Sequence, residues 1–414
     1  MPWVLASACA LLVTAPVLGQ TAAAPAGAGA RRPMPSTQTP RKTAPPPRAP
    51  ASPSFATLSA NAEAAREKGL LAEAADLYRQ ALAIKPDWPE GLWSLGTTLY
   101  ELDRFGEARD QFRRVLSRHD DNGTAWALKG LCEYRLKNYD TALSDLLKAR
   151  ARGVTGSREV AEVARYHTAL LATRTEQFEQ ALGMLSDFGL EGNDSPSIIE
   201  AMGLATLRLP LLPDELPGEK REMVMMAGRA RYFMAARLGS AATNAFDALV
   251  ARYPETPNVN YAAGVYLLAE QPEKAVEAFK RELKVFPQNV WARIQIAFAL
   301  IRTGEYEAAR PFAEEAVAVA PTEFVARNAL GQVLLETGDT AGAVREFEAG
   351  VKLASDSPQM HFALARAYRR AGRTADADKA QAEFTRLDRI VRASRTGEAS
   401  VGGIDMSAAP PRKQ

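Results

Sequence analysis

Three short stretches decide the fold: IRTGEYEAA at residues 301–309, LLETGDTAGA at 334–343 and RRAGRTADA at 369–377. Their glycines, Gly304, Gly338 and Gly372, recur at one constant interval, and each is followed a fixed distance later by an alanine, namely Ala309, Ala343 and Ala377. Pro287 and Pro321 keep the same spacing as the glycines. A fixed period of roughly 34 residues means one supersecondary unit repeated, so the chain is read as an array before any single residue is interpreted.

The unit follows from its own residues. Between Phe324 and Glu336 the apolar positions Val325, Leu330, Val333, Leu334 and Leu335 give one helical face. From Ala341 to Leu353 a second face carries Ala343, Val344, Phe347, Val351 and Leu353. Gly338 lies between them, where a left-handed residue ends a helix. The expectation is an αα-hairpin in which Gly331 and Ala343 are small where the axes approach, while Phe347 fills the space beside them. A single hairpin leaves its outer face bare, so neighbours must stack on it.

These hairpins resemble the tetratricopeptide repeat family, whose pattern runs W-x2-L-G-x2-Y, then A-x3-F, then P. Leu92, Leu95, Gly96, Ala108 and Phe112 carry it in one copy, Trp126, Gly130 and Ala142 in the next, and Ala74, Tyr78, Ala81 and Pro86 in the first. Later copies show Ala275, Phe279 and Pro287, then Gly304, Tyr306, Ala309 and Pro321, then Leu330, Gly331, Ala343 and Phe347. The resemblance spans Phe55 to Arg389. It implies an all-α, right-handed superhelical solenoid of stacked antiparallel helix pairs between disordered N-terminal and C-terminal tails.

Repeats are expected at 55–88, 89–122, 123–156 and 157–193, an N-terminal block of about four ending near residue 195. In the more divergent fourth copy, Phe178 and Ala181 keep the register. Residues 196–218 hold a helix through Met202 and Gly203, then an apolar insertion from Leu207 to Pro217 whose prolines stop the helix. The insertion is expected to pack on an adjoining repeat and to join the first block to a second, of about five repeats, at 219–391. Arg392 to Gln414 reads as a flexible tail.

Composition limits the function classes. The chain has 414 residues, a net charge of +2, 47% hydrophobic and 24% charged residues, enough apolar surface for an extended core. That balance gives no electrostatic case for nucleic acid. Val4 to Leu18 is apolar, too short to span a bilayer but of signal-peptide length, with Val17-Leu18-Gly19 before Gln20, so residues 1–19 read as a leader. No Lys or Arg precedes this run. Export to the periplasm or medium is the expectation, with a cytoplasmic location as the alternative. If Cys9 leaves with the leader, Cys132 has no intramolecular disulfide partner. Residues 20–54 are rich in Ala and Pro and read as a disordered linker, expected to be a plain tether, with contact of its basic prolines around Arg41, Lys42 and Arg48 to a partner or an acidic envelope surface as the alternative.

A search for chemistry returns little. His119, His167 and His361 fall in different repeats with no second ligand at metal spacing, and Asp120-Asp121-Asn122 reads as a turn. No phosphate-binding glycine run or nucleophile elbow appears, so no catalytic residue, metal or cofactor is expected. The resemblance implies instead a concave groove that binds a peptide or protein segment. The matching groove positions are Trp93, Thr97, Tyr100, Tyr134, Arg135, Tyr261, Val265, Phe298, Arg302, Asn328, Gln332, Phe362, Arg366 and Arg369. Aromatics beside Arg and Asn suit an extended peptide, although any one aromatic could equally pack on the next repeat. Chaperone-binding members clamp a C-terminal carboxylate with Lys and Asn. Ser59 and Glu63 stand at those places here and argue against that ligand. The functional expectation is a non-catalytic scaffold or adaptor in a bacterial envelope. The alternatives are an assembly factor for a secretion, pilus or polysaccharide system, and a regulatory subunit of an enzyme.

Overall fold

The computed structural model describes residues 53–399, so the expected leader and almost all of the 20–54 linker lie outside the described residues. Among these residues the chain forms nineteen α-helices, one 3-10 turn and no strand, the all-α array of paired helices that the period implies. Two compact units divide between Leu171 and Ala172.

The first unit holds three hairpins: α1 (Phe55–Glu67) with α2 (Leu71–Ile84), α3 (Pro89–Glu101) with α4 (Phe105–Leu116), and α5 (Gly123–Arg135) with α6 (Tyr139–Arg152). Helix α7 (Arg158–Arg174) crosses the division. The second unit begins with α8 (Phe178–Leu190), α9 (Pro196–Thr206), the 3-10 turn (Pro213–Glu215), α10 (Gly218–Ala235) and α11 (Gly239–Arg252). It continues as the hairpins α12 (Val259–Leu267) with α13 (Pro272–Val285), and α14 (Val290–Thr303) with α15 (Tyr306–Val319). Two more pairs close it: α16 (Phe324–Glu336) with α17 (Thr340–Leu353), and α18 (Pro358–Arg370) with α19 (Thr374–Ala399).

The turns explain why the period is visible only in part of the sequence. Gly304, Gly338 and Gly372 take φ of 82°, 97° and 73°, the left-handed backbone that ends each first helix at little cost for glycine. In the first unit Gly69 does the same at φ 73°, but Asp103 and Lys137, at the next two steps of the period, adopt φ 57° and 62° with full side chains. Each such residue costs roughly 1–2 kcal/mol, which the surrounding packing must offset.

Inside four of the hairpins a glycine on the first helix faces a large residue on the second. A Cβ added at Gly96 would meet the Phe112 ring at 3.0 Å, at Gly130 the Leu146 side chain at 2.8 Å, at Gly264 the Phe279 ring at 2.5 Å, and at Gly331 the Phe347 ring at 2.6 Å. The α14–α15 pair solves the same packing differently. At the equivalent positions it carries Ala297 and Ala313, both fully buried, so the volume is shared between the helices.

Helix α9 breaks the simple pairing. A Cβ at Gly203 would lie 1.9 Å from the Val224 carbonyl oxygen and one at Gly228 would lie 1.8 Å from the Ile199 carbonyl oxygen, so α9 and α10 touch backbone to backbone. The Leu/Pro insertion is the long connection between them. Leu207 and Leu216 join a cluster with Met223, Val224 and Ala227 of α10, Phe246 of α11 and Val259 of α12, while Leu209 and Leu211 lean on it. The insertion packs, as expected, with Leu207 and Leu212 only 1% exposed. The insertion lies within the second of the two compact units, which divide inside α7. Helix α19 continues past residue 392 to Ala399.

Candidate functional site

The inner-face residues named from the sequence all lie on the first helices of hairpins. In the first unit, Trp93 on α3 packs edge-on against Phe112 at 5.9 Å, and Tyr100 packs against Phe105 at 5.3 Å. Burial pushes the Tyr100 phenol up to about 12. Thr97 donates its hydroxyl proton to backbone carbonyls of its own helix. Tyr134 on α5 packs on Tyr139 and, at 4.5 Å, on His167. Burial brings His167 down to about 4, so that ring is neutral at physiological pH. Arg135 is exposed, lies 4.3 Å from the Phe105 ring centre, and reaches Asp103 at 3.4 Å.

In the second unit Tyr261, expected on an open face, is buried against Phe279 at 5.7 Å. Its cover is Arg208, the left-handed residue at φ 53° that follows α9. The Arg208 guanidinium lies 5.7 Å from the Tyr261 ring centre, 5.2 Å from Trp291 and 4.7 Å from Phe178, and pairs with Glu179 at 2.6 Å. Beside it, Asn258 donates its side-chain N–H to the Leu207 carbonyl at 3.0 Å. Residues 207–208 therefore occupy the start of this row, which no sequence signal announced.

A buried carboxylate holds the same place from below. Glu282 accepts the backbone N–H of Asn258 at 2.7 Å and of Tyr261 at 3.1 Å, and the Asn289 amide at 3.2 Å. Burial raises its pKa, and these donors oppose the shift. The first turn of α12 is thus capped by a residue from the second helix of its own hairpin.

Further along the row the surface opens. Val265 and Phe298 are half-buried, and Asn328 accepts from Gln332 at 3.1 Å. Arg302 is exposed and donates to the Leu268 carbonyl at 3.1 Å. Phe362 is 44% exposed and leans on Phe384 at 5.3 Å. Arg366 pairs with Glu336 at 3.0 Å, while Arg369 donates to Gln381 at 3.1 Å. Phe362, Arg366 and Arg369 stand at i, i+4 and i+7 and so share one face of α18. Sequence reasoning missed Arg231 on α10, although it stands one full period before Val265 and the repeat spacing could have found it.

Stacked hairpins, four of them with a small-on-large contact, and with polar and aromatic residues repeated on their first helices, define a helical repeat protein built to present a surface. A tetratricopeptide repeat model matches residues 94–154 and 328–387, and a second tetratricopeptide repeat model matches 266–333. The chain is a tetratricopeptide repeat protein. No curated protein sequence matches it. Among solved structures it is similar to the MamA RS-1 ArsTM double mutant, at 18% identity and a TM-score of 0.39 over 42% of this chain and 97% of that one. It is also similar to MamA 41-end from Desulfovibrio magneticus RS-1, at 20% identity and a TM-score of 0.36 over 42% of this chain and 96% of that one.

Proposed function

We propose that the protein is a non-catalytic interaction scaffold that holds a partner's extended segment against the first helices of its C-terminal hairpins. The observation that carries this reading is the face of α18, where Phe362 is 44% exposed and shares its side of the helix with Arg366 and Arg369. An accessible aromatic next to guanidiniums is the residue combination that concentrates binding energy in protein interfaces. Asn328 and Gln332 on α16 add amide groups that can pair with a ligand backbone.

Peptides selected from a random display library on the folded protein test it. Phe362→Ala is expected to weaken their binding by roughly 30-fold, the equivalent of a hot-spot loss of about 2 kcal/mol, with the thermal melt unchanged. Equal affinity for the variant and the parent would overturn the proposal.

The location of the scaffold is a second part of the proposal and rests on sequence. The apolar run Val4 to Leu18 supports export, with the mature chain starting near Gln20. N-terminal sequencing of the protein recovered from a secreting bacterial host is expected to begin there. A cytosolic chain that retains Met1 would refute export and leave the binding surface untouched.

A further inference from the structure

The open face of α18 carries an unbalanced charge. Phe362, Arg366, Arg369 and Arg370 stand at i, i+4, i+7 and i+8, so they share one side of the helix, and all four are exposed. Arg366 reaches one oxygen of Glu336 on α16 at 3.0 Å, and Arg370 reaches the other at 3.5 Å. Arg369 donates to the Gln381 side-chain oxygen at 3.1 Å, and among the described residues it has no carboxylate partner. Three guanidiniums against one carboxylate leave this face with two positive charges in excess. The α19 carboxylates Asp376, Glu383 and Asp388 hold other cations, namely Arg373, Arg386 and Arg392.

These groups can be reached from outside. The Arg366 and Arg370 side chains are 47% and 48% exposed even while they share Glu336, and Phe362 is 44% exposed with Phe384 on one flank at 5.3 Å. We infer that α18 selects an acidic segment of a partner protein, which seats an apolar side chain on Phe362 and Phe384 and sets Asp or Glu residues against Arg366, Arg369 and Arg370. The inference rests on the scaffold reading for the place of binding and adds the chemistry of what is bound.

The spacing of the face sets a register for the ligand. From Phe362 to Arg366 the helix rises about 6 Å, and from Arg366 to Arg370 about 6 Å more. An extended chain covers roughly 6.6 Å in two residues, and side chains two apart point the same way. A segment lying along α18 therefore matches the face when its acids stand two and four residues from its apolar anchor. A single phosphate dianion fits less well, because the two guanidiniums that converge on one point already share Glu336 there. The chain's own ends do not supply the acids. Thr21 to Ser54 has five basic residues and no acidic one, and residues 400–414 hold Asp405 as their single acid beside Arg412 and Lys413.

The probe is the acetylated, amidated peptide Glu-Ala-Glu-Ala-Phe-Ala-Glu-Ala-Glu, titrated against the full chain beside the same peptide with Gln for Glu. The Glu peptide is expected to bind about fivefold more tightly at low salt, the scale of two exposed ion pairs, and to lose that preference near 1 M salt. A peptide with its acids one and three residues from Phe should bind less tightly than the first. Arg369→Gln is expected to cut the preference to about twofold, and Arg366→Gln with Arg369→Gln to abolish it. Equal affinity for the Glu and Gln peptides, an unchanged preference in the double variant, or equal binding in the shifted register would each overturn the inference. So would tighter binding of a Phe peptide bearing one phosphoserine, or retention on anionic phospholipid vesicles that the Glu peptide fails to displace. Library-selected peptides that depend on Phe362 but carry no acidic excess would reject this inference alone and leave the scaffold reading in place.

Discussion

Replacing Gly228 with alanine is expected to destabilise the second unit by about 2 kcal/mol, even though alanine gains about 1 kcal/mol over glycine inside a helix. The new methyl would lie 1.8 Å from the Ile199 carbonyl oxygen, a backbone atom locked in the α9 ladder that cannot swing aside. Relief requires α9 and α10 to separate, and the second backbone contact, at Gly203 and Val224, would open with the first. The Leu207 and Leu216 cluster rests on the same α10 face and would loosen too. Gly183 on α8 is the internal control. It is also inside a helix but faces open space, so Gly183→Ala is expected to raise stability by about 0.5–1 kcal/mol. Thermal and urea unfolding of the two variants should move in opposite directions. A Gly228→Ala protein that melts at or above the parent would mean that the two backbones do not touch.

A larger loss, about 3–5 kcal/mol, is expected for Phe347→Ala, the usual range for removing a buried phenyl group. Phe347 is fully buried and its ring fills the gap that Gly331 leaves between α16 and α17. With both positions small, the hairpin must collapse or keep a cavity. The neighbouring pair shows what a partial remedy looks like, since Ala297 and Ala313 occupy the equivalent places with no large ring. Gly331→Ala added to Phe347→Ala recreates that combination and is expected to recover about 1 kcal/mol through helix propensity and one refilled methyl. On the parent background the same Gly331→Ala change should destabilise, because its methyl would meet the Phe347 ring at 2.6 Å. A double-mutant cycle measures that reversal directly. Additive effects, or a loss below about 1 kcal/mol for Phe347→Ala, would show that the two residues do not oppose each other.

Much of the fold was legible in the sequence because its causes are local and repeated. A glycine recurring at a fixed period, an apolar face with helical spacing and a small residue opposite a large one state the hairpin and its stacking without distant partners. Where the turn residue is Asp103 or Lys137, the backbone is the same but the marker is gone, and only the core residues of the first-unit repeats reveal them. The choice of inner-face positions was equally local, since they follow from the register of each first helix.

What the register could not state is which of those positions would remain open. Tyr261 has the right place but lies under Arg208, a contact made by a residue in a left-handed turn after α9, and the accompanying Asn258 bond to Leu207 spans 51 residues of chain. The Glu282 cap on α12, the backbone contact between α9 and α10, and the unbonded Nε of Arg231 arise in the same way. Period, propensity and patterning fix each hairpin through neighbours along the chain. The pairing of an unrepeated helix and the fate of a single charge depend on residues that meet only when the helices stack, so the tertiary structure alone decides them.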